Sequence, residues 1–308
     1  HKSYNLLTHA KFINNLIEIK KIFLFFGYNI PDKLNSKVLI MSSIINQYLH
    51  LDGSLPLFNG TNNNYTNQIY SSINKDEYLK LRSFSDNNNG IAFYRDSKKR
   101  LFFDVVQPVK NNLNNLLSSG TLSFEFSSDG EKIITNCGAS ESMGKNPEFL
   151  RYSAAHSTII LQNTNIREIK EKNSIINYTH NVSFNKQDAK DYSVLQGSHN
   201  GYVKRFNKII KRKLIINSEK SILSGEDSII SIKNTSKKIF YHIRFHLMPG
   251  ITHNLTNNKK NIILKTPSGN MWLFKSKSIL LVEDSIFVDK NKTHHIKQIV
   301  IKGLSLKN

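Results

Sequence analysis

The sequence predicts a multidomain α+β protein, in which a helical N-terminal segment precedes a large antiparallel β-sandwich. Apolar residues recur at three- and four-residue spacings up to about residue 50, but from about residue 90 they alternate with polar ones. Turn signals such as Asp-Gly then separate short strands every ~8–12 residues, a pattern typical of sandwiches. We therefore expect a helical domain at 1–85 and a β-sandwich domain at 90–308.

Two helices are predicted first. Residues 4–26 carry an amphipathic pattern, and Pro31 opens a second helix that ends near His50. A short third helix is predicted at 76–82. Two or three helices cannot cover one another's apolar faces, so we interpret them as the last part of a larger helical domain. We expect an exposed apolar patch here, and a chain that is not an independently stable enzyme as given.

Two hairpins open the β region. Residues 91–95 and 101–106 flank the first turn, and residues 121–126 and 132–135 flank the turn at Asp129-Gly130. Further strands are predicted at 157–162, 201–206, 212–216, 228–233, 238–247, 261–265, 271–275, 278–283 and 296–302.

The chain is strongly basic, with 43 Lys+Arg against 23 Asp+Glu and a net charge of +20. Such a surface attracts polyanions, although a bias toward Lys, Asn and Ile explains the composition equally well. The basic stretch 208–213 lacks interleaved aromatics and fits a solvated strand face, so no nucleic acid is expected as a partner. The single cysteine excludes an internal disulfide, and the apolar runs are too short for a membrane span.

Several classes of active site have no sequence support. The chain contains no Gly-rich phosphate loop and no Gly-x-Ser-x-Gly motif, which argues against nucleotide chemistry and serine hydrolysis. It also shows no carboxylate pair at the spacing that a glycosidase needs.

A series of short motifs runs along the chain: His1, Leu57-Phe58-Asn59-Gly60, Gly120-Thr121-Leu122-Ser123-Phe124-Glu125, Asn136-Cys137-Gly138, Ala155-His156-Ser157-Thr158, Ser198-His199-Asn200-Gly201-Tyr202 and Arg244-Phe245-His246-Leu247. In order and spacing they resemble the heparinase II/III-like family over nearly the whole chain. The resemblance implies the C-terminal part of an incomplete (α/α) toroid before the sandwich. It also implies an N-terminally truncated bacterial protein, with the periplasm and the cytoplasm both open as its location.

The resemblance further implies a polysaccharide lyase that acts by β-elimination on an acidic, uronate-containing glycan. Such chemistry needs donors that neutralise the substrate carboxylate, a base for the C5 proton and an acid for the departing O4. An acidic polysaccharide is therefore the expected partner.

Seven residues are candidates for this site. The expected catalytic groups are His1, His156 and Tyr202, and the expected substrate-binding groups are Asn59, His199, Arg244 and His246.

The sequence also departs from the family. The loop 52–60, where a catalytic tyrosine is expected, contains none, and Ser118 and Asn136 stand where the family has zinc-binding His and Asp. Only His156 of that trio remains, so no cofactor is predicted and zinc is kept as a weak candidate. These departures favour an alternative, a non-catalytic glycan-binding or structural module derived from such lyases.

Simpler interpretations stay open for individual residues. His156 fits a buried packing residue as well as a site residue. On a strand, Tyr202 and Arg205 would lie on opposite faces. His242, Arg244 and His246 would share one face, which suits an acidic ligand, a metal or a solvated outer surface.

Overall fold

The computed structural model describes residues 4–63, 90–108, 117–140, 148–169, 180–217, 219–233, 238–289 and 292–305. His1 and the third predicted helix at 76–82 lie outside these residues. Within them, no helix has the length and apolar character needed to cross a membrane.

The two N-terminal helices pack against each other and against the first hairpin of the sheet. Helix α1 spans Leu6–Phe25 and helix α2 spans Asp32–Gln47. Asn5 caps α1, because its side-chain oxygen accepts a hydrogen bond from the backbone N–H of Thr8 at 2.9 Å. Their apolar sides form one cluster with strand residues such as Phe102.

The C-terminal end of α1 presents apolar side chains to solvent. Leu24, Phe25 and Phe26 are 63%, 84% and 65% exposed, and Tyr28 is 66% exposed. These side chains are exposed as expected, and an apolar patch larger than the few hundred Å² usual for a monomer stays a prediction. An exposed apolar row of this kind indicates a surface suited to contact with further apolar groups.

The rest of the described chain is mostly β-structure. The strands are β1 Ile91–Arg95, β2 Lys99–Asp104, β3 Phe124–Ser128, β4 Glu131–Thr135, β5 Ile159–Leu161, β6 Val182–Asp188, β7 Tyr192–His199, β8 Lys208–Asn217, β9 Ile222–Ser231, β10 Phe240–Leu247, β11 Thr252–Leu255, β12 Asn261–Lys265, β13 Met271–Lys275, β14 Leu280–Asp289 and β15 Lys292–Leu304.

These strands form three antiparallel sheets. The eight-stranded sheet has the order β1-β2-β3-β4-β10-β15-β14, with β5 paired to β10 beside β4. The four-stranded sheet has the order β6-β7-β8-β9, and β11-β12-β13 form the third. One apolar core lies between them, and Phe103, Leu195, Leu214 and Ile299 contribute to it from different strands. This is the predicted β-sandwich.

Some strands and one strand face differ from the predictions made from the sequence. Residues 201–206 form not a strand but a helical turn, α3 at Val203–Phe206. Strands β6, β7 and β11 were not predicted. The stretch 208–213 is not a fully solvated face, because Lys208 and Arg212 point inward and are 2% and 1% exposed.

Candidate functional site

The segment 117–121, which leads into β3, receives polar groups from the helical part of the chain. The side-chain Oδ1 of Asn59 accepts a hydrogen bond from the backbone N–H of Ser118 at 3.1 Å. The carbonyl of Asn59 accepts one from Asn5 Nδ2 at 3.0 Å. Asn59 Nδ2 is buried and has no hydrogen-bond partner among the described residues. This amide N–H is therefore a buried donor whose hydrogen bond is not made within the described ranges.

His156 packs directly on the same segment. An ideal Cβ built on Gly120 would lie 2.4 Å from His156 Cδ2, so only glycine lets the ring approach this closely. His156 Nδ1 lies 2.8 Å from the carbonyl oxygen of Tyr152, to which it donates. Burial, together with the charge of Arg167, lowers the pKa of His156 to about 4, against the backbone bond that raises it. The ring is therefore neutral near pH 7, with its proton on Nδ1.

Charged groups surround the inner side of this segment. Arg167 is 2% exposed, and its backbone N–H donates to Ser119 Oγ at 3.1 Å. Burial raises the pKa of Asp104 to about 7, although the N–H of Val106 and the charge of Arg167 lower it. Asp104 and Arg167 thus place one titrating carboxyl group and one guanidinium beside the site.

Two further histidines continue the polar cluster. His180 Nε2 lies 3.0 Å from Thr121 Oγ1, and the His180 ring lies 5.6 Å from that of His199. His199 Nδ1 accepts a hydrogen bond from Gly201 N–H at 3.1 Å, so Nε2 carries the proton of the neutral ring. That Nε2 is buried without a partner among the described residues. Burial lowers the pKa of both rings, with the charge of Arg167 adding to it at His180.

Tyr202 is inside the protein rather than at its surface. It is 0% exposed, and its hydroxyl donates to the carbonyl of Thr164 at 2.9 Å. Burial raises the pKa of this phenol. Because residues 203–206 are helical, Arg205 lies on the same side as Tyr202, with its guanidinium 5.2 Å from the ring centre. The expected separation of these two side chains was therefore wrong.

An open cleft of about 420 Å³ adjoins this cluster, and it is lined by Asn165, Arg167, Glu168, Ile169 and Arg205. Arg205 Nη2 donates to the carbonyl of Ile166 at 3.0 Å, which fixes the guanidinium at the edge of the cleft. Arg205 places its guanidinium at this cleft, whereas Nε and Nη2 of Arg167 are buried. With two arginines against the single Glu168, the lining is cationic on balance, which suits an anionic ligand.

Arg244 and His246 reach the site through the backbone of β10. The N–H of Arg244 donates to the carbonyl of Thr158 at 3.1 Å, and the N–H of His246 donates to Ser157 Oγ at 2.9 Å. The Arg244 side chain lies 3.4 Å from Glu283 Oε2 and donates to Gln298 Oε1 at 3.1 Å. Arg244 is thus engaged by neighbours on β14 and β15.

His246 is enclosed by the sandwich. Its Nδ1 lies 2.8 Å from Ser285 Oγ and its Nε2 lies 3.1 Å from the carbonyl of Ala154. His246 and His242 are 1% and 5% exposed. The interpretation of this face as a solvated outer surface was therefore wrong for these two histidines, and the segment before β5 covers His246 through Ala154.

A charged cluster that the sequence reading missed lies beside the site. Glu125, which the sequence shows only as the last residue of the motif 120–125 and not as a site residue, is fully buried on β3. Its Oε2 lies 2.9 Å from Lys132 Nζ and 3.1 Å from His50 Nε2. Because Glu125 alternates with the core residues Phe124 and Phe126, it lies on the other face of the strand, where contact with solvent would be expected. Only the position of α2 and its following loop shows that this face is covered.

The residues at the zinc positions of the family do not fit a zinc ion. Asn136 Oδ1 accepts from Ser157 N–H at 2.9 Å, and its Nδ2 donates to Glu125 at 3.2 Å. His156 Nδ1 is bound to a carbonyl, and a serine replaces the remaining ligand at 118. Among the described ranges, no three His, Cys, Asp or Glu side chains converge as metal ligands would.

The structure thus brings some of the seven candidates together. Asn59 and His156 each contact the segment 117–121, at Ser118 and at Gly120. The rings of His199 and Tyr202 are tilted against each other, with centres 5.8 Å apart. Arg244 and His246 lie on β10, where their backbone N–H groups bond to the two residues that follow His156. His1 lies outside the described residues. The catalytic and binding roles of all seven stay predictions.

Comparisons with known proteins agree with this fold. The family model described as Heparinase II/III-like, C-terminal, matches residues 80–306. The chain is similar to the crystal structure of heparan sulfate lyase HepC from Pedobacter heparinus, with 14% identity and a TM-score of 0.72, over 99% of this chain and 50% of that one. No curated protein sequence matches.

Two heparinase III structures are also similar. One has 12% identity and a TM-score of 0.74, over 100% of this chain and 52% of that one. The other, a heparinase III described as the BT4657 gene product, has 11% identity and a TM-score of 0.75, over 99% and 50%. The chain spans about half the length of these structures, and at such identities the likeness shows the fold alone. Because the family model covers more than half of the sequence, the chain belongs to the heparinase II/III-like family.

Proposed function

We propose that this protein is polysaccharide lyase-like and acts by β-elimination on an acidic, uronate-containing glycan. One observation carries the proposal: Asn59 and His156 meet on the segment 117–121, beside a cleft that Arg167 and Arg205 line. Membership of the heparinase II/III-like family and the net charge of +20 support it.

The proposed chemistry divides the work among these groups. Asn59, whose buried Nδ2 must first become accessible, and the arginines of the cleft neutralise the uronate carboxylate and so make the C5 proton more acidic. His156, which burial keeps neutral, accepts that proton as the C4=C5 double bond forms and the C4–O4 bond breaks, while His1 donates a proton to the departing O4. The candidates His199, Arg244 and His246 contribute further polar contacts around the glycan. Tyr202 joins the proton transfer only if its hydroxyl leaves the carbonyl of Thr164.

We also propose that residues 1–85 are the C-terminal part of an incomplete (α/α) toroid and that residues 90–308 are the sandwich domain. The exposed apolar row at the end of α1 supports this, because such a row suits contact with further helices. The fold likeness to heparinase III, over about half its length, supports it as well. The glycan would then lie between the helical segment and the sandwich.

A second candidate function is a non-catalytic module that binds acidic glycans. The burial of Tyr202 and its bond to Thr164 favour this alternative, as does the absence of tyrosine from the loop 52–60. A lyase-derived module of this kind would keep the cationic cleft without releasing product.

Ultraviolet absorbance of unsaturated uronate products separates these functions. The full-length protein is incubated with heparan sulfate, alginate and related chains, and binding is measured in parallel. We expect product from at least one glycan, and a fall of about 100-fold in turnover in His156→Gln, because general bases contribute on that scale. Binding without product would support the non-catalytic module. The absence of both binding and product would overturn both functions.

The cationic cleft is tested by a matched pair of variants. We expect Arg205→Ala to weaken glycan binding about tenfold, since one charge-assisted contact is lost. Lys204→Ala removes an equal charge from the adjacent position, which does not line the cleft, and we expect little change. Equal losses in both variants would contradict a specific role for the cleft. Duplex DNA serves as a polyanion control, and tighter binding to DNA than to every glycan would overturn the proposal.

A further inference from the structure

The buried carboxylate of Glu125 joins two parts of the chain that are distant in sequence. From the sandwich, the backbone N–H and side-chain Nδ2 of Asn136 both lie 3.2 Å from Oε1, and Lys132 Nζ lies 2.9 Å from Oε2. From the loop 50–63 after α2, Leu57 N–H donates to Oε1 and His50 Nε2 donates to Oε2, each at 3.1 Å. Both oxygens are therefore shared between the loop and the sandwich.

The neighbouring groups fit an ionised carboxylate. The side chains of Lys132 and Glu125 are 1% and 0% exposed, so each charge is neutralised by its partner where water does not reach it. His50 Nδ1 lies 2.7 Å from Ser127 Oγ. A neutral ring that donates from Nε2 to the carboxylate accepts the serine hydroxyl at Nδ1, so Ser127 sets the tautomer that Glu125 needs.

Further bonds hold the same loop. Lys132 Nζ also donates to the carbonyl of Leu55 at 3.4 Å, so one ammonium contacts both the loop and Glu125. Leu55 N–H donates to Asn63 Oδ1 at 2.9 Å, which joins the middle of the loop to its C-terminal end. At its far end, Thr61 Oγ1 accepts from Leu6 N–H at 3.0 Å.

The loop carries Asn59 only two residues beyond Leu57, the residue whose N–H donates to Glu125. Asn59 adopts a left-handed conformation with φ of 51°, and it reaches Ser118 N–H with its side chain. A loop held at Leu57 and Thr61 leaves little freedom to the three residues between them, which include Asn59. The position of the Asn59 amide thus depends on the Glu125 anchor.

We infer that Glu125 is a positioning residue that holds the loop 50–63 on the sandwich and thereby fixes Asn59 against the segment 117–121. It does so through the shared hydrogen bonds to Leu57, His50 and Lys132 rather than by contact with a glycan. The part that assigns Asn59 a contact with the glycan rests on the proposed function, but the positioning of the loop does not.

Hydrogen exchange of the full-length protein, read by mass spectrometry, tests this inference without any glycan. We expect Glu125→Gln to speed exchange in peptides from the loop 50–63 by about tenfold or more, because local opening there becomes easier. Peptides from β7 and β8, in the four-stranded sheet, should exchange as in the wild type.

Glu131→Gln is the matched control. Glu131 also accepts several hydrogen bonds, from Thr266, Ser268 and Asn270, but these belong to the turn between β12 and β13. We expect exchange in the loop 50–63 to stay unchanged in this variant. Faster loop exchange in both variants would overturn the inference, since it would reflect general destabilisation.

Glu125→Asp is the second variant, should Glu125→Gln fail to fold. It keeps the charge that pairs with Lys132 but shortens the reach toward Leu57, so we again expect faster exchange confined to the loop. Unchanged loop exchange in a folded Glu125 variant overturns the inference.

Glycan measurements separate the inference from the proposed function. We expect Glu125→Gln to weaken binding of heparan sulfate, or to raise KM more than it lowers kcat, because Asn59 is displaced while the base is kept. Faster loop exchange in a protein whose wild type binds no glycan would support the positioning role and contradict the proposed function.

Discussion

The guanidinium of Arg212 holds the carboxylate of Asp227 through two parallel hydrogen bonds, Nε to Oδ1 at 2.7 Å and Nη2 to Oδ2 at 2.9 Å. Its Nη1 crosses to the segment beside the site, where it donates to the carbonyls of Leu122 at 2.9 Å and Ser157 at 2.7 Å. Arg212 lies on β8 of the four-stranded sheet, while Ser157 directly follows His156. The second sheet therefore helps to fix the backbone that carries His156.

Replacing Arg212 with lysine should destabilise the protein strongly. Lysine cannot form the two parallel bonds to Asp227, and it leaves a partly buried carboxylate and two buried carbonyls short of donors. We expect the free energy of unfolding to fall by about 3 kcal/mol or more, measured by urea unfolding. Lys211→Ala, on the other face of β8, should change it by less than about 0.5 kcal/mol. Equal effects would show that Arg212 has no special role.

Adding a methyl group at Gly120 should displace the ring of His156. The new Cβ would lie 2.4 Å from His156 Cδ2, so we expect Gly120→Ala to lower the free energy of unfolding by about 1–3 kcal/mol. Gly225→Ala is the control, because the nearest atom to its Cβ, on Leu214, is 3.6 Å away. Thermal unfolding of both variants checks this, and an unaffected Gly120→Ala protein would refute the close packing.

Removing the hydroxyl of Tyr202 should cost a buried hydrogen bond. We expect Tyr202→Phe to lower the free energy of unfolding by about 1 kcal/mol, because the carbonyl of Thr164 loses its donor. Urea unfolding measures this change, and product formation is followed in the same preparations. A fall in kcat of about 100-fold, with stability nearly unchanged, would instead identify the phenol as a proton-transfer group.

The buried histidines should make the fold sensitive to mild acid. Burial lowers the pKa of His50 and His156 to about 4 and that of His180 and His246 to about 3, from 6.5. As the pH falls below 6.5, the unfolded chain binds protons at these histidines before the folded protein does. The stability that the neutral histidines allow is therefore complete above pH 6.5 and is lost as the pH falls toward 4 and 3. Asp104, whose pKa burial raises to about 7, releases one proton on unfolding and opposes this trend.

These five groups together take up about three protons on unfolding near pH 5, or on the order of 4 kcal/mol of stability per pH unit. The lowered pKa values of His9, His199 and His242 act in the same direction. Urea unfolding between about pH 7 and pH 5 measures the slope. His156→Gln should reduce the slope by about one proton, and an unchanged slope in this variant would contradict a neutral buried His156.

Local patterns predicted much of the fold. The hairpin of β1 and β2 was predicted because apolar alternation flanks a polar turn, and β12 and β13 match the predicted ranges. Strands β6 and β7 were missed because many of their inward positions hold polar or small residues, such as Ser193 and Gly197. The helical turn at α3 was missed because a four-residue helix is too short to show a period.

The sequence by itself determined the family, the β-sandwich and the presence of Asn59 and His156 as candidates, since motifs and periodicity are local properties that order and spacing reveal. Tertiary structure alone decided which polar groups meet. Glu125 and Lys132 look like surface residues in the sequence, yet both are buried where the loop 50–63 covers the sheet. Burial and hydrogen-bond partners depend on residues tens of positions apart, so no local pattern could supply them.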